Sequence, residues 1–518
     1  MDYDLLVVGG GINGAGIARD AAGRGLRVLL VEQDDLASHT SSASTKLIHG
    51  GLRYLEYYEF GLVRKALHER EILLRAAPHI IWPLRFVMPH MPNLRPAWMI
   101  RVGLFLYDHL SRRELLPASR GIDMRRHAAG TPLIDSIRRG FVYSDAWVDD
   151  ARLVVLNVLD AQEHGATVMT RTKLVGAQRQ GTGWQAQLQA RDGSRLSVDA
   201  RAIANAAGPW VGSLLHDTLG SAAPYNVRLV KGSHIITRKL FDHDHAYIFQ
   251  NPDKRIIFAI PYEHDYTLIG TTDLEFHGDA SKVQISDDEI AYLCDSANSY
   301  FKRKISPAEV VWTYSGVRPL LDEASDNPSA VTRDYHLELD AEGGQAPLLS
   351  VFGGKITTFR KLAEEAVDLL AKPLGLAQAS STGTLPLPGG DIRNADFGAF
   401  LEEFKSRHPW LPSTLAHRYA RAYGTRAYRL IGGARDLAGL GTEIAAQLYA
   451  AELVYLRDNE WARSAEDILW RRSKLGLHVP KDTAAKIDAW LASSQAAVPP
   501  QVEPAVNRVS RMAHSAVS

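Results

Sequence analysis

Residues 4–14 read Asp4-Leu5-Leu6-Val7-Val8-Gly9-Gly10-Gly11-Ile12-Asn13-Gly14, and this order of residue types decides the fold. Asp4–Val8 is a short, unalternated apolar run, as a strand buried on both faces of a parallel sheet requires. Gly9, Gly11 and Gly14 match G-x-G-x-x-G, and a helical stretch follows to about Gly23. The glycines make a tight turn and admit a pyrophosphate close to the backbone. The helix N-terminus offers that anion free N–H groups and a partial positive charge. Arg27–Glu32 is a second β-rich run, and Glu32 ends it near the spacing of about 20 residues at which a carboxylate takes a ribose diol. A carboxylate there repels a 2′-phosphate and so disfavours NADP. Strand, turn, helix and acid together outweigh the bland reading of a glycine turn that only packs a helix on a sheet.

The fingerprint is shared by NAD and FAD sites. Two further segments favour a long, buried FAD. Ser38 to Lys46 is a run of small hydroxyl residues ending in a cation, suited to wrapping pyrophosphate or ribityl chain. Val351-Phe352-Gly353-Gly354-Lys355-Ile356-Thr357-Thr358 brings a second glycine turn late in the chain. Cations beside Gly, Ser or Thr recur in His49-Gly50-Gly51-Leu52-Arg53-Tyr54, Lys231-Gly232-Ser233-His234, Ser315-Gly316-Val317-Arg318 and Thr332-Arg333-Asp334. Guanidinium binds phosphate bidentately and Lys supplies a point charge, so convergence of such groups selects a small phosphorylated substrate. Taken singly, each is more often a surface or ion-paired residue. His234 and His49 flank Gly/Ser turns and are the candidate general bases, with a deprotonated water as rival.

The 518 residues carry 59 Lys plus Arg against 59 Asp plus Glu. That balance excludes a broad electrostatic grip on nucleic acid. The one cysteine, Cys294, cannot form an internal disulfide, a structural zinc site or an iron–sulfur site, so no metal is expected. No basic signal start precedes Leu5–Val8, and no segment is long and apolar enough to span a bilayer. Ala97 to Leu110 is interrupted by Arg101 and Asp108. The stretch Arg85–Arg113, with Trp98, Phe105 and Tyr107 among its arginines, is a candidate interfacial surface. A core helix with snorkelling arginines is the equal alternative. Pro78, Pro83, Pro89, Pro92 and Pro96 are expected to break regular structure. Val227 to Thr272 reads as a second sheet, Thr382–Gly390 as a linker, and Asp396 to about Ala492 as helical. There Ile444, Leu448, Ala451 and Tyr455 fall on one helical face.

Several long blocks now stand in a recognisable order: Thr40–Glu56, Trp147–Leu153, Asn205–Val211, Lys231–His234, Ile269–Asp273, Trp312–Leu320 and Phe352–Lys361. Together with Asp4–Glu32 they resemble the FAD-dependent, respiratory glycerol-3-phosphate dehydrogenases. The resemblance implies an α/β + α architecture: an FAD-binding Rossmann-like domain of the glutathione-reductase/D-amino-acid-oxidase type (1–80, 145–220 and 345–380). An antiparallel-sheet substrate domain (81–144 and 221–344) is interleaved with it, and an all-helical C-terminal domain (390–495) and a flexible tail (496–518) follow. It implies oxidation of sn-glycerol 3-phosphate to dihydroxyacetone phosphate by hydride transfer to FAD, with electrons passed to membrane quinone. It implies peripheral attachment to an anionic membrane on the cytoplasmic side, often as a homodimer, with no nucleic acid partner. By resemblance Arg53, Tyr54, Arg318, Arg333 and Lys355 meet the substrate, with Thr271 nearby; the catalytic set expected from the residues themselves is His234 as base, with Arg318 beside it and His49 or a deprotonated water as rival. Gly9, Gly11, Asn13, Gly14, Glu32, Thr40, Ser44, Lys46, Leu47, Gly208, Gly354, Lys355 and Thr357 hold FAD. The rivals are an amine or amino-acid oxidase on the same scaffold, which would hold a carboxylate, and an FAD-bound RNA-modification protein.

Overall fold

A computed structural model describes residues 1–91, 95–221, 225, 227–253, 255–321 and 335–495. Two sheets alternate along the chain. The first has eight strands, with the order His336–Asp340, Leu348–Phe352, Arg195–Asn205, Tyr3–Val8, Val28–Val31, Thr167–Met169 and a hairpin, Thr172–Gln180 with Gly183–Ala190, attached at Arg195–Asn205. Its centre is parallel: Leu5 lies opposite Val28 on one side and Ala202 on the other. Leu5, Leu6 and Val7 are fully buried, as an apolar run sandwiched between two layers must be. The helices Ile12–Gly23, Asp150–Glu163 and Phe359–Leu374 share one apolar cluster with the inward face of this sheet. The strand His336–Asp340 pairs antiparallel with Leu348–Phe352, so the chain re-enters the first sheet before residue 345.

The second sheet has ten strands and is mostly antiparallel. Val227–Arg238, Val310–Leu321 and Ile81–His90 are among its long members, and the short strand Tyr266–Gly270 pairs with Val227–Arg238. Pro83 and Pro89, expected to interrupt structure, lie inside Ile81–His90. That strand keeps its full ladder with Arg139–Val148, opposite Ala146 and Gly140. Its other neighbour pairs only at Phe86 and Val87. Six residues apart, the two prolines face the same, largely unpaired edge, where a missing N–H leaves no partner unsatisfied.

The C-terminal region has its own apolar core, including Phe404, Leu415, Tyr419, Leu453 and Ile468. It is not wholly helical. Ile444 and Leu448 lie in a short hairpin, Glu443–Ala445 with Leu448–Tyr449, and the helix begins only at Ala450. Gln447, with φ of +64°, makes the turn that breaks the helical spacing. This region is fastened to the first sheet's helix Asp150–Glu163 by Arg152. Its guanidinium pairs with Glu460 and donates to the Ala422 carbonyl at 2.9 Å, in a site almost closed to solvent. It meets the second sheet through Trp312 and Trp470, stacked with centroids 4.0 Å apart.

The helix Ala97–His109 presents Trp98, Val102 and Phe105 outward, each more than half exposed. Tyr107 corrects the sequence reading. It faces inward, 2% exposed, and its hydroxyl donates to Asp145 at 2.7 Å while accepting from the Gly50 amide. Among the described residues, no helix is long and apolar enough to cross a membrane.

Candidate active site

The turn after Tyr3–Val8 is closed by contacts that only glycine admits. A Cβ on Gly14 would lie 2.0 Å from the Gly9 carbonyl oxygen, and one on Gly10 would lie 2.8 Å from the Glu32 Cβ. Gly9 itself has φ of +114°. The helix that follows has no side-chain cap at Gly11, and its first amide, Ile12 N–H, donates to Ser41 Oγ at 3.0 Å. Glu32 accepts from the Gly10 amide at 2.7 Å and from the Asp34 amide at 2.8 Å, which aims its carboxylate at the turn. Burial pushes Glu32 up against the pull of those two amides.

Gly9, Gly11, Asn13, Glu32, Thr40, Gly208 and Gly354 all line one cleft of about 290 Å³ at the ends of the parallel strands. The second glycine turn is brought to the first by Asn13, whose amide nitrogen donates to the Gly353 carbonyl at 3.1 Å. Asn13 Oδ1 is buried and has no protein partner. That orphaned acceptor, the bare-glycine start of the helix and the ribose-position carboxylate fit an FAD, which this cleft would hold along Gly9–Asn13, Glu32 and Gly353–Gly354.

Ser44, Lys46 and Leu47 do other work. Lys46 is buried, and its ammonium bonds both Asp150 oxygens at 2.8 and 2.9 Å and the Ser42 carbonyl at 3.0 Å. Ser44 Oγ donates to the same carboxylate at 2.7 Å. Burial favours the neutral acid, but Lys46 and Lys474 outweigh it and hold Asp150 below the usual carboxylate range. Leu47 packs into the core of the second sheet. These residues fix the shape of the 38–46 loop from behind. Asp150 and Ser41 are the partners that sequence reasoning did not assign. Ser41 stood within the hydroxyl run and Asp150 within the Trp147–Leu153 block, but spacing alone cannot pair residues so far apart in the chain.

The loop is stitched to the second sheet: Thr40 Oγ1 donates to the Val317 carbonyl at 2.6 Å, and Tyr314 donates to the Ser44 carbonyl at 2.9 Å. Beside that seam, Arg318 bonds Asp273 at 2.9 Å and the Thr272 carbonyl at 3.4 Å. A Cβ on Gly232 would lie 2.8 Å from Thr271 Oγ1 and 3.1 Å from an Arg318 nitrogen, so those two side chains converge over a bare glycine. Lys355 sits over the Tyr54 ring at 4.1 Å. The His49 amide donates to Thr357 Oγ1 at 3.2 Å, which places His49 at the second glycine turn. Arg53 is on the same turn as Tyr54 and points to the Tyr57 hydroxyl at 3.5 Å. Arg333 lies outside the described residues.

His234 is poorly suited to the base role expected of it. It is 2% exposed, stacked on Tyr314 at 4.7 Å, and its Nε2 shares a hydrogen with Thr45 Oγ1 at 3.0 Å. Burial, with Lys46 and Arg318 nearby, pushes its pKa down to about 3. It is therefore a neutral, packed imidazole near pH 7, with little affinity for a substrate proton.

Comparison with known proteins agrees with this geometry. A family model described as FAD dependent oxidoreductase matches residues 4–360, and the C-terminal domain of alpha-glycerophosphate oxidase matches 380–493. A glycerol-3-phosphate dehydrogenase of Pseudomonas aeruginosa is 56% identical over 95% of both chains. The chain belongs to the FAD-dependent glycerol-3-phosphate dehydrogenases. Within this dehydrogenase family, the aerobic enzyme of Escherichia coli is 50% identical over 94% of this chain and 97% of its own. A relative from Brucella abortus, named D-erythritol 1-phosphate dehydrogenase, is 54% identical over 94% of this chain and 97% of its own. The crystal structure of the Bacillus halodurans glycerol-3-phosphate dehydrogenase with FAD superposes with a TM-score of 0.74, at 25% identity, covering 97% of this chain and 96% of that one. The dehydrogenase fold, its FAD and the helical C-terminal domain are thereby those expected of the sequence.

Proposed function

We propose that this chain oxidises sn-glycerol 3-phosphate to dihydroxyacetone phosphate at the seam between the two sheets and passes the electrons to quinone at a membrane surface. The convergence of Arg318 and Thr271 over Gly232, against the loop that lines the cofactor cleft, carries this reading. Arg318 and Lys355 hold the phosphate dianion, with Tyr54 and Arg53 as the rim. Remote binding of the phosphate then positions C2. FAD, when bound, accepts the hydride. His49 takes the hydroxyl proton, and neighbouring cations stabilise the alkoxide. Gly9–Gly14, Glu32, Thr40, Gly208 and Gly354 hold the cofactor, while Ser44, Lys46 and Leu47 act on it through the loop.

Anaerobic mixing tests the reading: sn-glycerol 3-phosphate should bleach the yellow flavin band, and glycerol or amino acids should not. Bleaching by amino acids with peroxide release would favour the oxidase alternative. The Brucella relative makes a four-carbon polyol phosphate the second reading. A larger kcat/KM for D-erythritol 1-phosphate than for glycerol 3-phosphate would select it. For the base, His49→Ala should slow flavin bleaching about 10²–10⁴-fold, and His234→Gln should keep it within about tenfold. The reverse order would restore His234 to that role.

The membrane part of the proposal uses the outward face of Ala97–His109 and the adjacent turn at Tyr57–Phe60. Trp98 is 67% exposed and Tyr58 81%. Arg95 and Arg112 flank this apolar face, as an interfacial surface on an anionic inner leaflet requires. Replacing Trp98 and Phe105 by Asp should abolish co-flotation with phosphatidylglycerol vesicles and leave bleaching by substrate intact. Unchanged flotation would reject this face.

A further inference from the structure

The loop from Glu32 to Ser41 gives the cleft Glu32, Ser38, His39, Thr40 and Ser41. Its carbonyls are tethered at one end, where the Thr172 amide donates to Glu32 and the Arg171 amide to Asp34, both at 2.8 Å. At its bend, Ser38 Oγ donates to the Asp35 carbonyl at 2.6 Å and accepts from the Asp35 amide at 3.0 Å. The Asp35 side chain leaves the cleft altogether. It is 3% exposed and accepts two hydrogen bonds from Arg472, at 2.5 and 2.8 Å, and one from Arg471, at 2.7 Å. Both arginines belong to the C-terminal region, on the wide helical turn Asp467–Arg472, which sends two consecutive guanidinia to one carboxylate. Arg471 also bonds Asp467 at 2.5 Å, and Asp467 accepts from Arg171 at 2.5 Å. The ion pairs therefore run from Asp35 to Arg171, whose own amide donates to the Asp34 carbonyl and so closes the circuit on the segment that carries Glu32.

We propose that Arg471 and Arg472 are cofactor-positioning residues: through Asp35 they hold the loop that shapes the adenosine end of the FAD cleft. The C-terminal region is then part of the cofactor site without touching it. This rests on the reading of Glu32 as the ribose ligand. A buried carboxylate with three charge-assisted hydrogen bonds is a rigid anchor, and losing them frees a bend whose next residues form the cleft wall. Arg152, on the helix Asp150–Glu163, pairs with the Glu460 side chain and joins the same two regions; Arg472 meets Glu460 only at its backbone carbonyl, which Glu460→Gln retains, so this pair serves as the control.

The test is release of FAD from diluted holoenzyme, followed by recovery of free-flavin fluorescence, with ADP as a competitor that carries only the adenosine end. Asp35→Asn should raise the Kd for FAD and the inhibition constant for ADP by about tenfold or more, as loss of a supporting shell does. Arg472→Lys, which keeps the charge and loses the fork, should fall between it and wild type. Glu460→Gln should lower the melting temperature yet leave both constants within about twofold. If Asp35→Asn does not fold, Arg472→Lys carries the test alone. Unchanged FAD and ADP affinities in these folded variants overturn the proposal. So does an equal loss in Glu460→Gln, or a loss seen with FAD and absent with ADP. Failure of ADP to compete with FAD on wild-type protein would sink the underlying assignment of Glu32, and the proposal with it.

Discussion

Arg318→Met is expected to lower kcat/KM for sn-glycerol 3-phosphate by about 10³-fold, some 4 kcal/mol of transition-state stabilisation, while the purified protein stays yellow. The guanidinium is oriented by Asp273 and the Thr272 carbonyl, so its fork is fixed before substrate arrives. A pre-ordered fork meets a phosphate dianion without spending rotamer freedom. Methionine keeps most of the volume and removes all five donors. Arg318→Lys should recover only part of the loss, because a point charge cannot reproduce bidentate geometry. Kinetics at saturating substrate separate binding from chemistry: a rise confined to KM means that Arg318 grips the phosphate equally in ground and transition states. Colourless protein would instead place Arg318 in the cofactor's own site.

The second large effect is expected at Gly14. Gly14→Ala should yield protein that folds with little or no FAD, measured as the ratio of flavin to protein absorbance. The new Cβ would sit 2.0 Å from the Gly9 oxygen, a backbone atom that cannot swing aside. The turn must open, and the helix N-terminus then no longer faces the pyrophosphate. The same substitution at Gly23, at the end of the same helix, meets nothing within 4 Å. Gly23→Ala should therefore keep full flavin content, with stability unchanged or raised by up to about 1 kcal/mol through helix propensity. Equal flavin content in the two variants would refute this account of the turn.

How much of this was legible in the sequence depends on the range of the interaction concerned. The Asp4–Glu32 unit is local: strand, turn and helix follow within 29 residues, and each residue type has one physical reason to be there. The second sheet was visible in the β-branched run from Val227, yet Pro83 and Pro89 read as breakers, because whether a strand edge is paired is a property of the whole sheet. Ile444 and Leu448 kept helical spacing by coincidence across a hairpin turn. At the site, the glycine turns and Glu32 were legible by residue type, and they line one cleft. Burial was not legible, and burial is what pushes the His234 pKa down, ties Lys46 to Asp150 and turns Tyr107 inward.

The seam between loop and strand has a geometric consequence. Tyr314, Gly316 and Arg318 occupy alternate positions of Val310–Leu321, opposite His234, Gly232 and Val230. Two of these three strand positions border the cofactor loop directly: Tyr314 bonds it, and Gly316 leaves room for Ala43, which would lie 2.8 Å from an added Cβ. The strand thus works as a ruler with a period of two residues. A slip of one residue would move Arg318 along by about 3.4 Å and turn it to the opposite face of the sheet. The irregularity in this pairing falls at Ile236 and Thr237, beyond the marks that matter, so an error in strand length is absorbed at the far end. The distance between Arg318 and the cofactor loop is in this sense set by strand register, long before any ligand arrives.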